Sequence, residues 1–471
     1  MARDFYFQPA TGLSWSGPLD KALNNIEAIR IAKSGREATD EEQDILSRYT
    51  GWGDTAVLNA AIKRGLQAEL SEAEWAGVRA STLNAHYTAL PVIRAIWHGL
   101  TRLGILRLPE ITAIDPSAGN GHFKSTTPPE AWSRISWSEV EIDPLTSQVL
   151  AMLHPESRVF ASPYETARLP ANYFNLALSN VPFGAYPVQD DSLPAYLRAS
   201  IHDYFFAKTM KLLCPGGIMA FITSRYTLDK KENAVRKYLA GQADLLAAVR
   251  LPNTAFKANA GTEVVTDILF LRKRLPGEKP GDDLWLGTQQ MTVSDPKREW
   301  LHRNYDINNY YVAHPENILG TPSASGTMYG GDEYTVLPDE RNLEAAIVSA
   351  LDASLPEDVL AGQPQLVVTS APTTFEPVDD TLPTIGRKFC AADEQKLVEL
   401  QEIYTLGQEL LKTEVAAGAN ALITDLRERL NSAYDLFVGG YGCINERQNA
   451  RMISGTPQGA FLLALEVPIT C

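Results

Sequence analysis

Three short stretches carry residue types that do chemistry. At 178–185 the chain reads LSNVPFGA: an apolar run from Phe174 to Leu178 ends in a carboxamide, Asn180, then Val181, Pro182 and the aromatic Phe183. Proline locks its own φ, so the amide and the ring are set on a stiff elbow at a strand's carboxyl end. At 113–123, AIDPSAGNGHF, Gly119 and Gly121 lack the Cβ atoms that keep backbone away from a ligand. Asp115 ends the preceding apolar run, where it can accept hydrogen bonds from an ammonium group. At 139–144, EVEIDP, an acid ends a second run about twenty residues later, the place from which dinucleotide-binding folds bind ribose hydroxyls. Glu141 is the first choice for that role and Asp143 the second. A G-x-G is a weak sign of a nucleotide-like ligand when alone, and a stronger one after a strand in an alternating pattern. Lys124 and Ser125 follow the glycines without the GK pair of a phosphate cradle.

These stretches need elements to position them. From 110 to 275 strand-like and helix-like runs alternate. The strands fall at Ile111–Ile114, Ser138–Ile142, Val159–Ala161, Phe174–Leu178, Ile218–Thr223, Leu245–Arg250 and Val264–Leu271, with helices at Asp203–Leu213 and Glu232–Leu239. Such alternation predicts an α/β domain with a doubly wound, mainly parallel sheet, whose ligands sit outside the carboxyl ends of the strands. Ahead of it, 18–80 reads as helical, Thr39 and Glu42 form a capping box, TGWG at 50–53 is a turn, and Pro91–Leu103 is a helix with Val92, Ile93, Ile96, Trp97 and Leu100 on one stripe. Residues 276–385 are rich in Pro, Gly, Ser, Thr and Asp and read as irregular and partly β. From 392 a helical hairpin is expected, striped by Leu397, Leu400, Tyr404, Leu410 and Leu411, then by Leu422, Leu426, Leu430, Ala433 and Phe437.

The 471 residues suggest two or three domains, with 45% hydrophobic and 21% charged residues as in ordinary soluble proteins. No apolar run spans a bilayer, MARDFYFQPATG lacks a signal-peptide pattern, and the four cysteines form no CxxC pair, so a cytoplasmic protein without membrane, disulfide or zinc is expected. A net charge of −15 speaks against nucleic-acid binding when averaged over the chain. Yet between Arg225 and Arg274 ten Lys/Arg face five Asp/Glu, which reads either as solvated helix faces or as a local cationic rim.

DPSAGNGHF, EID and NVPF, in that order, resemble motifs I, II and IV of S-adenosylmethionine-dependent amino-methyltransferases. NAHYTALPVIRAIW (84–97) is similar to their motif X, placed as in the gamma order, and the likeness continues through 202–230 and 247–274. Those segments resemble N6-adenine DNA methylases, including modification subunits of type I restriction systems. The flanks, GREATDEEQDILSRYTGWGD, LNSAYDLFVGGYG and LLALE, narrow the likeness to the methylase part of plasmid and phage helicase–methylase antirestriction proteins of the DarB type. The resemblance covers nearly the whole chain.

The resemblance implies a Rossmann-like methyltransferase sheet with a helical N-terminal region (1–83), a catalytic domain (84–275), an irregular segment that is a candidate for target recognition (276–385) and a helical C-terminal region (386–471). It implies S-adenosylmethionine as cofactor, bound by His86, Tyr87, Thr88, Asp115, Ser117, Gly119, Gly121, Phe123, Glu141, Asp143 and, beside Ser162 in ASPYE, Glu165. The substrate implied is a base-flipped adenine in DNA. Asn180's side-chain carbonyl and Val181's backbone carbonyl would grip both amine hydrogens, Pro182 would fix the elbow and Phe183 would stack on the base. Phe256 would face the base from the other side, and Arg225 would touch phosphate. A buried strand-end Phe and a surface Arg are the plainer readings of those two. Val181 departs from the commoner N-P-P-[FY], a change that a backbone carbonyl tolerates. The motif III Asp is missing, which weakens that contact, and no Pro-Cys dipeptide offers C5-cytosine chemistry. Larger relatives add a helicase; nothing here resembles an ATP site, so the helicase is either a separate polypeptide or lost, and a helicase/ATPase or other antirestriction component is the partner the resemblance implies. A protein-glutamine methyltransferase and a non-catalytic DNA-binding scaffold are the alternatives.

Overall fold

The computed structural model describes residues 3–9, 11–81, 87–256, 264–327, 331–360, 391–415, 420–446, 449 and 462. The apolar runs form the expected strands: β1 (Ile111–Asp115), β2 (Ile135–Glu141), β3 (Arg158–Ala161), β4 (Phe174–Asn180), β5 (Leu213–Ser224), β6 (Ala243–Arg250) and β7 (Thr266–Lys273). They make one sheet in the order β3-β2-β1-β4-β5-β7-β6, in which β7 alone runs antiparallel. This is a doubly wound, Rossmann-like sheet. Its strands are apolar on both faces because both faces are covered.

One face carries α5 (Leu90–Arg102), which buries Val92, Ile93, Ile96, Trp97 and Leu100 against Ala113, Leu176, Leu178 and Ile222. A helix over Leu343–Ser354 packs beside α5 on the same face. The Pro- and Gly-rich surroundings hide it in the sequence, although Asn342 caps it by accepting from the Ala345 N–H. The other face carries α8 (Ile201–Leu212) and α10 (Ala234–Ala240) over Ala177, Met219, Phe221 and Leu269, with the short α9 (Tyr226–Asp229) between them in sequence. After β1 comes one turn of helix, α6 (His122–Ser125), and after β2 comes α7 (Pro144–Leu153).

Four helices precede α5: α1 (Pro18–Lys33), α2 (Asp40–Ser47), α3 (Thr55–Arg64) and α4 (Glu72–Ser81). The Thr39–Glu42 capping box starts α2. Their apolar stripes close a separate core around Ile26, Ile29, Leu46, Tyr49 and Trp52, onto which α7 lays Leu145, Val149 and Leu153. Beyond β7, two antiparallel pairs follow, β8 (Thr288–Asp295) with β9 (Arg298–Asn308) and β10 (Thr321–Gly326) with β11 (Glu333–Leu337). Among its described residues, the segment read as irregular therefore holds two hairpin-like ribbons, a short helix at Asn309–Ala313 and the helix at Leu343–Ser354.

By contacts the chain divides into Met1–Val368 and Thr369–Cys471. In the second unit, helices over Ala391–Val415 and Asn420–Tyr441 pack on each other through Leu397, Leu400, Ile403 and Phe437. The side chains of Leu411 and Leu422 lie outside the described residues.

Most of the counted cations do not form a free rim; Lys231 and Lys237 are exposed, and Lys257 lies outside the described residues. Arg225 pairs with Asp229 at 3.1 Å, Lys230 with Asp203 at 2.7 Å, Arg272 with Glu278 at 2.8 Å and Arg274 with Asp244 at 2.6 Å. Arg250 is fully buried between Asp229 and Asp267, each at 2.8 Å. Arg236 and Lys273 donate to backbone carbonyls. Composition registers the positive charge but not the acids that meet it from elsewhere in the fold.

Candidate active site

Winding reverses between β1 and β4: the chain goes outward from β1 to β2 and β3, then returns to lay β4 on β1's other side. The two loops leaving the carboxyl ends of β1 and β4 part there and open a crevice. The glycine turn leaves β1 and Asn180 ends β4, so stretches about sixty residues apart in sequence share one mouth. A cavity of about 580 Å³ lies there.

The glycine turn is held by its neighbours. Gly119 has φ +57° and Gly121 φ +79°, the left-handed region. A Cβ on Gly119 would press the Tyr87 ring at 3.1 Å, and one on Gly121 would meet His154 at 2.6 Å and Leu150 at 2.8 Å. The Gly119 N–H donates to Glu141 Oε2 at 2.9 Å, and the Asp143 N–H to Oε1 at 2.7 Å. Asp143 in turn caps α7, accepting from the Thr146 N–H at 2.9 Å. From beneath, Asn120 donates to the Tyr49 carbonyl at 2.9 Å and His122 reaches the Ser47 carbonyl at 2.8 Å, so the N-terminal helices fasten the turn. Burial lowers His122 to about 4, which keeps its ring neutral.

The cavity wall includes Tyr87 and Thr88 on one side, Ser117, Gly119 and Phe123 from the turn, and Glu141 and Asp143 from the end of β2. Ser162, Tyr164 and Glu165 from the loop after β3 line it, as do Asn180 and Pro182. Other expected residues lie elsewhere. Asp115 is behind the wall, 1% exposed, its Oδ1 accepting from Ser179 Oγ at 2.7 Å and from the Ser117 N–H at 3.0 Å. Gly121 faces α7. Val181 is buried, its N–H donating to the Ile222 carbonyl at 3.1 Å. Phe183 is half-buried against the α5 face of the sheet and does not line the cavity.

Two substrate-side expectations are corrected. Phe256 is 2% exposed, buried in the core cluster that also holds the apolar stripe of α5. Arg225 is 8% exposed, ion-paired to Asp229, with its guanidinium 4.2 Å from the Tyr226 ring centre, so it presents no free cation to phosphate. His86 lies outside the described residues. Sequence reasoning missed the wall from Tyr186 to Gln189, together with Ile201 and Phe205 of α8. The signal was present in Gly184: a Cβ there would strike the Tyr186 ring at 2.4 Å, so that glycine lets the aromatic fold back over the elbow.

Burial favours the neutral form of three acids at and beside the site. Burial pushes the Asp115 carboxyl up to about 8, and Glu139 and Glu141 up to about 7. Each then holds a proton in the folded state that it loses in the unfolded chain, so stability falls as pH rises towards those values. The buried histidines act oppositely, but only below their unfolded value. Between about pH 6.5 and 8 the acids dominate, with Lys208 acting oppositely only near its lowered value of about 8, and Asp115 gives about 2 kcal/mol of lost stability. The expected result is a melting temperature that declines across that range, by less in Asp115→Asn. A flat profile in the wild-type chain is the contrary outcome.

The residues present fit S-adenosylmethionine. The glycine turn brings backbone to the cavity, and each Glu141 oxygen, though bonded to one amide, keeps a second lone pair for a hydroxyl. Asp115 Oδ2 is buried beside the wall and has no hydrogen-bond partner among the described residues. Among those residues no group of three or more His, Cys, Asp and Glu side chains is placed to hold a metal ion. No helix among them is long and apolar enough to cross a membrane.

No family model matches the chain. Over 252 residues, 53% of its length, it is 27% identical to Defense against restriction protein B of Escherichia phage P1. The DarB-type resemblance read from the flanking stretches is thus matched by a curated protein. The chain covers 10% of that relative's length. Among solved structures it is similar to a protein assigned as a class I S-adenosylmethionine-dependent methyltransferase from Listeria monocytogenes, at 16% identity and TM-score 0.38, covering 56% of this chain and 88% of that one. It is also similar to the type I restriction-modification methyltransferase subunit of Streptococcus thermophilus, at 12% identity and TM-score 0.35, covering 64% and 86%.

Proposed function

We propose that the protein transfers a methyl group from S-adenosylmethionine to the exocyclic N6 amine of an adenine in DNA. The observation that carries this reading is that Asn180, on its proline elbow, lines the same cavity as Gly119 and Glu141. The donor supplies an electrophilic methyl on a sulfonium, and the protein's part is to seat the donor and present the amine. Glu141 takes the ribose hydroxyls and Tyr87, packed on the glycine turn, walls off the donor. An adenine amine is a poor nucleophile because its lone pair is conjugated with the ring. The Asn180 side-chain carbonyl and the Val181 backbone carbonyl accept its two hydrogens and draw the nitrogen towards tetrahedral geometry. Val181 serves this through its backbone, which is why its side chain is buried without cost to the role. Orientation and exclusion of water then account for much of the rate. With Phe183 half-buried, Tyr186 supplies a second aromatic face for a flipped base, whose stacking offsets part of the extrusion cost.

DNA as substrate draws support from the similarity to a phage protein named for defence against restriction, a process that acts on DNA. Residues 276–385 are the candidate for target recognition. There the β8–β9 ribbon turns outward a row of cross-strand pairs, Gln290–Asp306, Thr292–Asn304 and Ser294–His302, ending at Trp300, which is 76% exposed. A two-stranded ribbon fits the major groove, where amide and hydroxyl side chains meet base edges. A helicase/ATPase or another antirestriction component is the partner this reading implies.

Transfer of tritiated methyl from the donor separates the readings. Label in adenine of DNA is expected. Label in protein supports the glutamine alternative, and DNA binding without label supports a scaffold.

A further inference from the structure

The two loops that form the cavity's far wall, 162–165 after β3 and 186–189 after the Asn180 elbow, share no strand pairing with each other. Both are tied to one stripe of α8. Ile201 and Phe205 on that stripe line the cavity themselves. One turn on, Lys208 donates from Nζ to the Tyr164 carbonyl at 2.5 Å and the Glu165 carbonyl at 3.1 Å. Its ammonium lies 4.7 Å from the Tyr164 ring centre and 3.9 Å from Asp190 Oδ2. Asp190 follows Gln189 of the wall and also accepts from Tyr204 Oη at 2.7 Å. Tyr164 Oη meets Thr209 Oγ1 at 2.9 Å. Residues 201, 204, 205, 208 and 209 recur at helical spacing, so one helix face both lines the cavity and holds its two lips.

A lysine here is unusual. Its side chain is 12% exposed, and burial lowers its ammonium to about 8. Burying a cation costs free energy unless it is well bonded, so a core of this kind would be simpler with Met or Leu at 208. The two carbonyls give a reason for it. The Tyr164 carbonyl also accepts from the Ala167 N–H at 3.3 Å, but both carbonyls keep lone pairs that no strand partner uses, and one ammonium has three donors to meet them. Burial raises the Asp190 carboxyl, but hydrogen bonds from Ser192 and Tyr204 outweigh this and keep it below the usual carboxylate range, so its charge persists opposite the lysine.

We propose that Lys208 is a positioning residue for the methyl donor: by bonding the 164–165 carbonyls while facing Asp190, it sets the separation of the two lips and hence the affinity of the cavity for S-adenosylmethionine. It does not touch the reacting atoms. The proposal rests on the reading of this cavity as the donor site.

The test measures binding in the full chain by calorimetry with S-adenosylmethionine and its demethylated product, alongside melting temperature and circular dichroism. Lys208→Met is expected to weaken donor binding about tenfold or more, as for loss of hydrogen bonds from a charged group. Its turnover at saturating donor should stay near that of wild type, so that KM rises while kcat holds. Lys208→Arg keeps the charge and the donors, and is expected to recover most of the affinity. Asp190→Asn gives a smaller loss in the same direction. A folded Lys208→Met chain that binds the donor as wild type does overturns the proposal and leaves the donor-site reading intact. So does an Arg variant as weak as Met, since cation and donors are then not what matters. Wild-type protein that binds neither ligand overturns both.

Discussion

Asn180→Ala is expected to lower methyl transfer to DNA about 10²–10³-fold, the scale seen when one preorganised polar group is removed from a reacting centre. Donor binding should be unchanged, since Asn180 sits on the β4 side of the crevice and the glycine turn on the β1 side. The Val181 carbonyl remains in the variant, so half of the amine clamp survives, which is why some residual rate is expected. Single-turnover transfer of labelled methyl, with calorimetry of donor binding beside it, separates rate from affinity. Normal turnover in Asn180→Ala would remove the elbow from the mechanism. Loss of donor binding along with turnover would make Asn180 part of the donor's seat instead.

The second large effect is on stability. Arg250 is fully buried and meets Asp229 and Asp267 at 2.8 Å each, with its guanidinium 4.2 Å from the Tyr311 ring centre. The Asn308 N–H donates to the same Asp229 at 2.9 Å. This cluster therefore joins β6 and β7 to the ribbons that follow them. Arg250→Met removes the cation, leaving Asp267 buried without its partner and Asp229 with Arg225 alone, for which a loss of about 3–5 kcal/mol is expected. That corresponds to a melting temperature lower by on the order of 10 °C. Adding Asp267→Asn should recover part of the loss, because the cost lies in the uncompensated charge. A variant that melts with wild type would mean that water reaches the cluster.

The sheet was legible because its strands are apolar on both faces and short, and the helices between them keep a 3.6-residue stripe. The reversed direction of β7 was not, since alternation fixes what faces the core and says nothing of strand direction. Gly119, Glu141 and Asn180 could be read together because the winding rule brings β1 and β4 ends to one crevice. The fate of Arg225 and Arg250 could not, because their acids arrive from other elements. Asn120 and His122 were equally silent: their partners are backbone carbonyls of Ser47 and Tyr49, which carry no residue-type signal. Lys208 reads from sequence as the polar side of an amphipathic helix, and only the placement of the 164–165 loop turns it inward.

The fastening of the glycine turn by Ser47 and Tyr49 bears on modularity. A donor-binding piece cut at the start of the strand pattern would keep every motif yet leave that turn without its moorings. The transferable unit, in recombination or in engineering, is therefore the helical preface and the sheet together.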